Sequence, residues 1–123
     1  MKIDFYKFHG TGNDFIMVDN RELKFSKNDT NLIHRLCHRR FGIGADGLIL
    51  LENSDNEEDH FKMVYFNADG NQSSMCGNGG RCLVAFAKHL NLIEDSAIFT
   101  AIDGRHSAII KDGLVSLKMQ DVD

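Results

Sequence analysis

The chain has 123 residues, 42% hydrophobic and 26% charged, which is typical of a single globular domain. Its net charge of −4 comes from the segment 52–59, which holds five acids and no base, leaving 13 of the 18 acids against 14 bases. We expect this segment to be a solvated loop that indicates no partner. The chain lacks an apolar run of the ~20 residues that span a membrane and lacks a signal peptide, so we expect a cytoplasmic protein with no membrane contact.

The spacing of apolar residues predicts an α+β fold. Strands are expected at 3–8, 14–18, 48–51, 61–65, 97–102, 106–110 and 114–119, and helices from a cap at Ser26–Asp29 to about Arg40 and from about Cys76 to Leu90. Asp103-Gly104 and Asp112-Gly113 indicate tight hairpin turns. The second helix is apolar on most faces, so we expect an antiparallel sheet, as a partial barrel, wrapped around a central buried helix.

Two motifs resemble common binding sites but lack the context that those sites require. Gly42–Gly47 has the letters of a dinucleotide fingerprint, yet it follows a helix and precedes a strand, so the helix dipole is at the wrong end. His34 and His38 lie one helical turn apart, but no third ligand follows at convincing spacing. The basic cluster around them is short and fits a solvated helix end. We therefore expect no metal and no nucleic acid partner.

The second helix begins with the segment Cys76–Cys82, whose first turn holds two glycines and an asparagine, which are poor helix formers. Such residues suit a first turn whose N–H groups must approach a ligand closely, because those groups have no partner within the helix and carry the positive end of its dipole. A carboxylate would bind there, and a cysteine thiolate would be stabilised there. The alternative is a packed cysteine at a glycine-rich helix entry.

The other two cysteines and two asparagines can be explained by packing or by turn formation. Cys37 and Cys82 occupy apolar helix positions and are most simply small core residues. An odd set of three cysteines gives no disulfide framework, so we expect free thiols. Asn67 and Asn13 could each reach a ligand at the helix start, but turn formation alone would explain either of them.

The chain resembles the diaminopimelate epimerase family in four segments that follow the family's order. They are Phe8–Phe15, Arg40–Gly47, Phe66–Gly70 and Met75–Cys82, the last two being specific. The resemblance as a whole extends over essentially the whole chain. The resemblance implies a protein of two similar halves, each a sheet around a central helix, with the active site between them. Residues 1–123 are then the N-terminal domain, and the abrupt end after a strand fits a missing C-terminal domain.

The resemblance also implies a mechanism. The family interconverts LL- and meso-diaminopimelate without pyridoxal phosphate, another cofactor or a metal. Cys76 would be one of two thiols on opposite sides of the α-carbon, one removing a proton and the other delivering one. The N–H groups of Gly77 and Asn78 would hold the α-carboxylate, and Asn13 and Asn67 match family positions that bind substrate.

Two departures from the family pattern limit this chain. A binding position that is often glutamine in the family corresponds to Gly47, so no side-chain contact is expected from it. The second catalytic cysteine would lie in the missing half, and Cys82 cannot replace it because it shares a helix with Cys76. We therefore expect the isolated chain to be inactive, and to need a partner half or to self-associate. The alternatives are a related cysteine racemase of the proline or hydroxyproline type, a non-catalytic half that needs a partner chain, and, more weakly, a thiol hydrolase.

Overall fold

The computed structural model describes residues 3–10, 12–73 and 77–119 of the chain. The elements, in chain order, are β1 (Tyr6–Gly10), β2 (Asn13–Asp19), α1 (Thr30–Cys37), β3 (Gly47–Glu52), β4 (Phe61–Asn67), β5 (Gln72–Ser73), α2 (Gly77–His89), β6 (Ser96–Ala101), β7 (Gly104–Lys111) and β8 (Leu114–Met119). All strands join one sheet in the order β1-β2-β3-β4-β6-β7-β8, with β5 paired to β4.

The sheet is mixed, whereas the sequence predicted a purely antiparallel one. β2 runs parallel to β3, and β4 runs parallel to β6, while the other pairs are antiparallel. Each parallel pair is joined by a connection that carries a helix, α1 in the first case and α2 in the second. A crossover of this kind returns the chain to the same end of the sheet, which makes the next strand parallel.

The sheet curls around α2 as a half-barrel. The helix contacts β1 and β8, the two outermost strands of the sheet, as well as β2, β3 and β4. Its buried residues Leu83, Val84, Phe86 and Ala87 pack against one face of the strands, including Phe15, Ile49, Phe61 and Phe99. The central buried helix predicted from its apolar composition is therefore confirmed.

The convex face of the sheet carries a second, smaller core. Ile33 and Cys37 of α1 and Phe25 pack there against Ile16, Val18, Leu48, Leu50, Val64 and Phe66. β3 consequently faces an apolar layer on both sides, and all six of its residues are buried. A strand covered on both faces needs a continuous apolar run, which is what the sequence shows at 48–51.

α1 ends earlier than the sequence indicated. Its last residue is Cys37, and His38 is already extended, with φ −69° and ψ 125°. The loop that follows folds back on the helix end, where the carbonyls of Leu36 and Cys37 accept N–H groups from residues 43–45. The ring of His38 is used in the same turn, because its Nδ1 accepts the N–H groups of Arg40 and Phe41.

The acidic segment is not uniformly solvated, contrary to the sequence expectation. Residues 55–58 are exposed, but Glu52 and Asp59 at its two ends are buried. Lys27 Nζ lies 3.1 Å from Glu52 Oε1, and Arg105 Nε lies 3.0 Å from Asp59 Oδ1. Two of the five acids of the segment are thus buried and paired with bases elsewhere in the chain. In the described part of the chain, neither helix has the length and apolar character required to cross a bilayer.

Candidate active site

The first residues of β2 and β3 and the last residues of β4 lie side by side at one end of these strands, on the sheet face that packs against α2. Phe15 of β2 is paired with Gly47 of β3, and Gly47 is paired with Asn67 of β4. Phe15 and Tyr65 both belong to the core on the α2 side. Because side chains alternate along a strand, Asn13 and Asn67, each two residues away, face the same side. The two asparagines predicted to contact a ligand therefore lie at the same corner of the molecule.

The first turn of α2 packs against the β1–β2 hairpin at this corner. Asn78 Nδ2 donates a hydrogen bond of 2.6 Å to Asn13 Oδ1. The close approach favours a glycine at position 10, because a Cβ there would make tight contacts, 3.2 Å from Asn78 Cβ and 3.3 Å from Cys82 Sγ. A cavity of about 360 Å³ lies beside Gly10, with Asn78, Arg81 and Leu114 among its lining residues. This volume falls in the range of small-molecule sites.

A second cavity of about 360 Å³ lies over Asn13, and charged groups line it. Asn13 Nδ2 donates to Asp46 Oδ2 at 3.1 Å, and Arg39 Nη2 donates to Asp46 Oδ1 at 3.0 Å. Arg39 also makes a two-pronged bond to Asp14, at 3.0 and 2.8 Å. These hydrogen bonds hold the loop 38–46 against the start of β2.

The electrostatics of this loop act on Asp14 and on Cys37 in opposite ways. Hydrogen bonds from Arg39, supported by Lys7 at 3.0 Å, hold the pKa of the Asp14 carboxyl well below its usual range. Burial raises the pKa of the Cys37 thiol to about 11, and the nearby Arg39 charge offsets only part of that rise. Cys37 is thus a protonated core thiol, as its apolar position predicted.

Gly47 leaves no room for the side chain that the family often carries at this position. A Cβ there would lie 2.7 Å from Tyr65 Cε1 and 2.8 Å from the Phe66 carbonyl oxygen. The ring of Tyr65 covers Gly47 and meets Phe15 edge-on, with ring centroids 6.0 Å apart. Gly47 therefore contributes bare backbone to the corner, which is consistent with the expectation that it offers no side-chain contact.

The predicted site residues are only partly brought together. Asn13 and Asn78 touch, Gly77 begins α2 beside them, and Asn67 lies at the same sheet edge. Cys76, the predicted catalytic residue, lies outside the described residues. Cys82 is a buried core residue of α2, as predicted. His34 and His38 have ring centroids 6.5 Å apart, and the described residues contain no cluster of three or more metal-binding side chains.

Sequence reasoning missed Asp46 and Arg39. Asp46 lies in the family segment Arg40–Gly47, where it was assigned no role of its own, and Arg39 was interpreted as part of a solvated helix end. Nothing in their local spacing indicates that both reach the start of β2, because this depends on the parallel pairing of β2 with β3. An aspartate directly before a buried strand was the available signal.

A family model described as diaminopimelate epimerase matches residues 5–120 of the chain. The chain belongs to this family. A diaminopimelate epimerase from Flavobacterium psychrophilum is 63% identical over 119 residues, which are 96% of this chain and 46% of the relative. One from Aquifex aeolicus is 37% identical over 127 residues, covering 96% of this chain and 45% of the relative. The chain thus spans about half the length of these epimerases.

Solved structures of two other enzymes share the fold. A hydroxyproline epimerase from Agrobacterium vitis matches with a TM-score of 0.74 at 15% identity, over 95% of this chain and 41% of that one. A probable proline racemase from Agrobacterium radiobacter matches with a TM-score of 0.69 at 15% identity, over 96% and 42% of the two chains. At this identity the likeness concerns the half-barrel around a helix and not the substrate.

Proposed function

We propose that this chain supplies one half of the active site of a diaminopimelate epimerase, in which Cys76 is one of two thiols acting on opposite faces of the substrate α-carbon. The observation that carries the proposal is the contact between Asn13 and Asn78 at the N-terminus of α2, in a chain that belongs to this family. Two of the residues matched to substrate binding are thereby joined at the first turn that follows Cys76.

The N-terminus of α2 is suited to an α-carboxylate. Gly77 and Asn78 are the first residues of the helix, and N–H groups at this position point away from the helix body. The helix dipole adds about half a positive charge at the same end. As the α-proton leaves, negative charge spreads from the α-carbon into the carboxylate, so donors already in place there stabilise the transition state more than the ground state.

The thiol chemistry follows from the same charge. In the proposed reaction the Cys76 thiolate takes the α-proton and becomes a thiol, while a thiol of the complementary half gives its proton to the opposite face and becomes a thiolate. For the substrate of opposite configuration at the α-carbon, the two thiols exchange roles. The reaction as proposed uses no cofactor, because the protein groups supply both the base and the charge stabilisation.

Diaminopimelate is favoured over proline or hydroxyproline as the substrate. The family match and the 63% identical relative both carry the diaminopimelate epimerase name, whereas the proline-type enzymes match only at the level of fold. The corner that holds Asn13 and Asn67 also offers polar groups, which an open-chain substrate with several charged ends can use.

The isolated chain is proposed to be inactive. Its two other cysteines are both buried core residues, Cys37 on the convex side of the sheet and Cys82 within α2. Neither can approach the far face of a substrate held at the tip of α2. The partner we propose is the complementary half, with pairing of two copies of this chain as the other possible association.

A chimera tests the proposal. In it, this chain replaces the matching 119-residue segment of the Flavobacterium psychrophilum epimerase. The chimera is expected to epimerise diaminopimelate and, in D2O, to place deuterium at the α-carbon of the product. The isolated chain should do neither. Cys76→Ser should lower kcat of the chimera by at least about 100-fold, in the range of a lost acid–base group.

Cys37→Ala is the matched control, because it also removes a thiol but lies in the other core. It should keep most of the activity of the chimera. An active Cys76→Ser chimera, or steady epimerisation by the isolated chain, would contradict the proposal.

A further inference from the structure

Four polar side chains form a continuous row across the site, which we call the amide row: Arg81, Asn78, Asn13 and Asp46. Arg81 Nη1 donates to Asn78 Oδ1 at 3.0 Å. Asn78 Nδ2 donates to Asn13 Oδ1 at 2.6 Å, and Asn13 Nδ2 donates to Asp46 Oδ2 at 3.1 Å. The row therefore joins the first turn of α2 to the start of β2 and to the loop before β3.

The chemistry of the two ends fixes the direction of every bond in the row. A guanidinium can only donate, and an ionised carboxylate can only accept. The carbonyl oxygen of Asn78 must therefore face Arg81, and its NH2 group must face Asn13. In the same way the NH2 group of Asn13 must face Asp46. Either amide turned around would be mismatched at both of its contacts, with oxygen against oxygen at one and nitrogen against nitrogen at the other.

The acceptor end of the row is itself anchored. Asp46 Oδ2 also accepts the N–H of Asp14 at 3.0 Å, and Asp46 Oδ1 accepts a bond from Arg39 at 3.0 Å. The Asp46 N–H in turn donates to the Asp14 carbonyl at 2.9 Å. The carboxylate is thus held by one backbone N–H and a guanidinium, and the backbone of Asp46 is itself bonded to Asp14, which makes the carboxylate a fixed reference for the amide of Asn13.

We propose that Asp46 and Arg81 are positioning residues that set the polarity of the Asn13 and Asn78 amides for the substrate. The inference rests on the proposed function. With this polarity, the NH2 group of Asn13 lies on the Asp46 side, where its second hydrogen can be donated to a substrate. The side-chain carbonyl of Asn13 faces the first turn of α2. Since carboxylate and ammonium groups of an amino acid need opposite hydrogen-bond partners, a fixed polarity favours one orientation of the substrate.

The first test is kinetic and uses the chimera. Asp46→Asn offers either an oxygen or an NH2 group, so Asn13 can turn without losing its contact. We expect KM for diaminopimelate to rise about 10-fold, the size of one well-placed hydrogen bond, with kcat within about threefold of the parent. Asp19→Asn is the control: it breaks a comparable bond to Arg21 at 2.7 Å, but at the opposite end of β2. Its KM should not change.

The second test reads the polarity directly and does not depend on activity. In the isotope-labelled 123-residue chain, a through-hydrogen-bond NMR coupling should link Asn78 Nδ2 to the side-chain carbonyl carbon of Asn13. Arg81→Lys keeps a donor at the end of the row and should keep both the coupling and KM. Arg81→Glu places an acceptor there and should remove the coupling and raise KM. Arg81 is exposed, so both variants should fold.

The outcomes separate the inference from the proposed function. An inactive parent chimera would overturn the proposed function and this role with it. An active parent with unchanged KM in both Asp46→Asn and Arg81→Glu would overturn the positioning role alone. A coupling that survives in Arg81→Glu would likewise contradict the fixed polarity.

Discussion

Gly77 and Gly47 are two glycines of the site whose surroundings differ sharply. Among the described residues, a Cβ at Gly77 would meet only the tip of the Arg81 side chain, 3.5 Å away, which is an ordinary contact. A Cβ at Gly47 would strike the Phe66 backbone oxygen at 2.8 Å. Packing among the described residues therefore explains the glycine at 47 but not the one at 77, which fits the ligand contact proposed for that position.

Substitution by alanine should separate these two reasons. Gly77→Ala should leave the free energy of unfolding of the chain unchanged or raise it by up to about 1 kcal/mol, because alanine favours helix. The same change should lower kcat/KM of the chimera at least about 10-fold, by placing a methyl group where the carboxylate approaches. Gly47→Ala should instead lower stability by roughly 1–3 kcal/mol through overpacking. Urea unfolding and steady-state kinetics measure both; full activity of Gly77→Ala would contradict the assigned role.

At the scale of elements, the ion pairs of Asp14 join β2 to β1 and to the loop after α1. The pKa of Asp14 is lowered in the folded chain, mainly by Arg39. The bonded carboxylate therefore stabilises the fold above the ordinary aspartate pKa of about 3.9, and this contribution is lost as the pH falls below it. Asp14→Asn should thus reduce stability at neutral pH and flatten the loss of stability between about pH 4 and 2.

Urea unfolding followed as a function of pH measures this effect. Arg39→Met supplies the control, because it removes the main cause of the lowered pKa while the carboxylate remains. In the Arg39→Met background, Asp14→Asn should have a much smaller effect than in the parent chain. Equal effects in the two backgrounds would show that the bond between Arg39 and Asp14 does not contribute.

Turns and helix starts that depend on neighbouring residues could be predicted from the sequence. The turn at Asp112-Gly113 has positive φ at both residues, 53° and 79°, as an Asp-Gly hairpin turn requires. α1 begins after Asp29, whose side chain accepts the Leu32 N–H at 3.0 Å. The parallel pairs could not be predicted, because partner choice depends on where α1 and α2 pack and not on strand composition.

The candidate site likewise contains residues that could be recognised from the sequence and residues that could not. Asn13, Gly77 and Asn78 are recognisable from their family segments, and the structure brings them together. Asp46 and Arg39 could not be recognised, since their contacts span 25 to 33 residues of sequence and arise only when β3 lies beside β2. Long-range polar contacts of this kind leave no periodic signal in the chain.

At the scale of the molecule, the half-barrel presents the tip of α2 at an open edge. β1 and β8 are the ends of the sheet, and α2 lies between them with one cavity beside its first turns. Leu114 of β8, which lines that cavity, is 74% exposed. An exposed apolar side chain beside this cavity is available for contact with the complementary half proposed above.

The reactivity of the Cys76 thiol tests the central claim most directly. The rate of alkylation by iodoacetamide, followed by peptide mass spectrometry as a function of pH in the 123-residue chain, gives the pKa of each thiol. Cys37 is the internal control, because burial raises its pKa to about 11 and it should stay unmodified. If the tip of α2 stabilises a thiolate and binds a carboxylate, Cys76 should react with a pKa of about 7.5 or lower, and diaminopimelate should slow the reaction. A Cys76 pKa at or above the ordinary value of about 8.5, with no protection by diaminopimelate, would contradict the account.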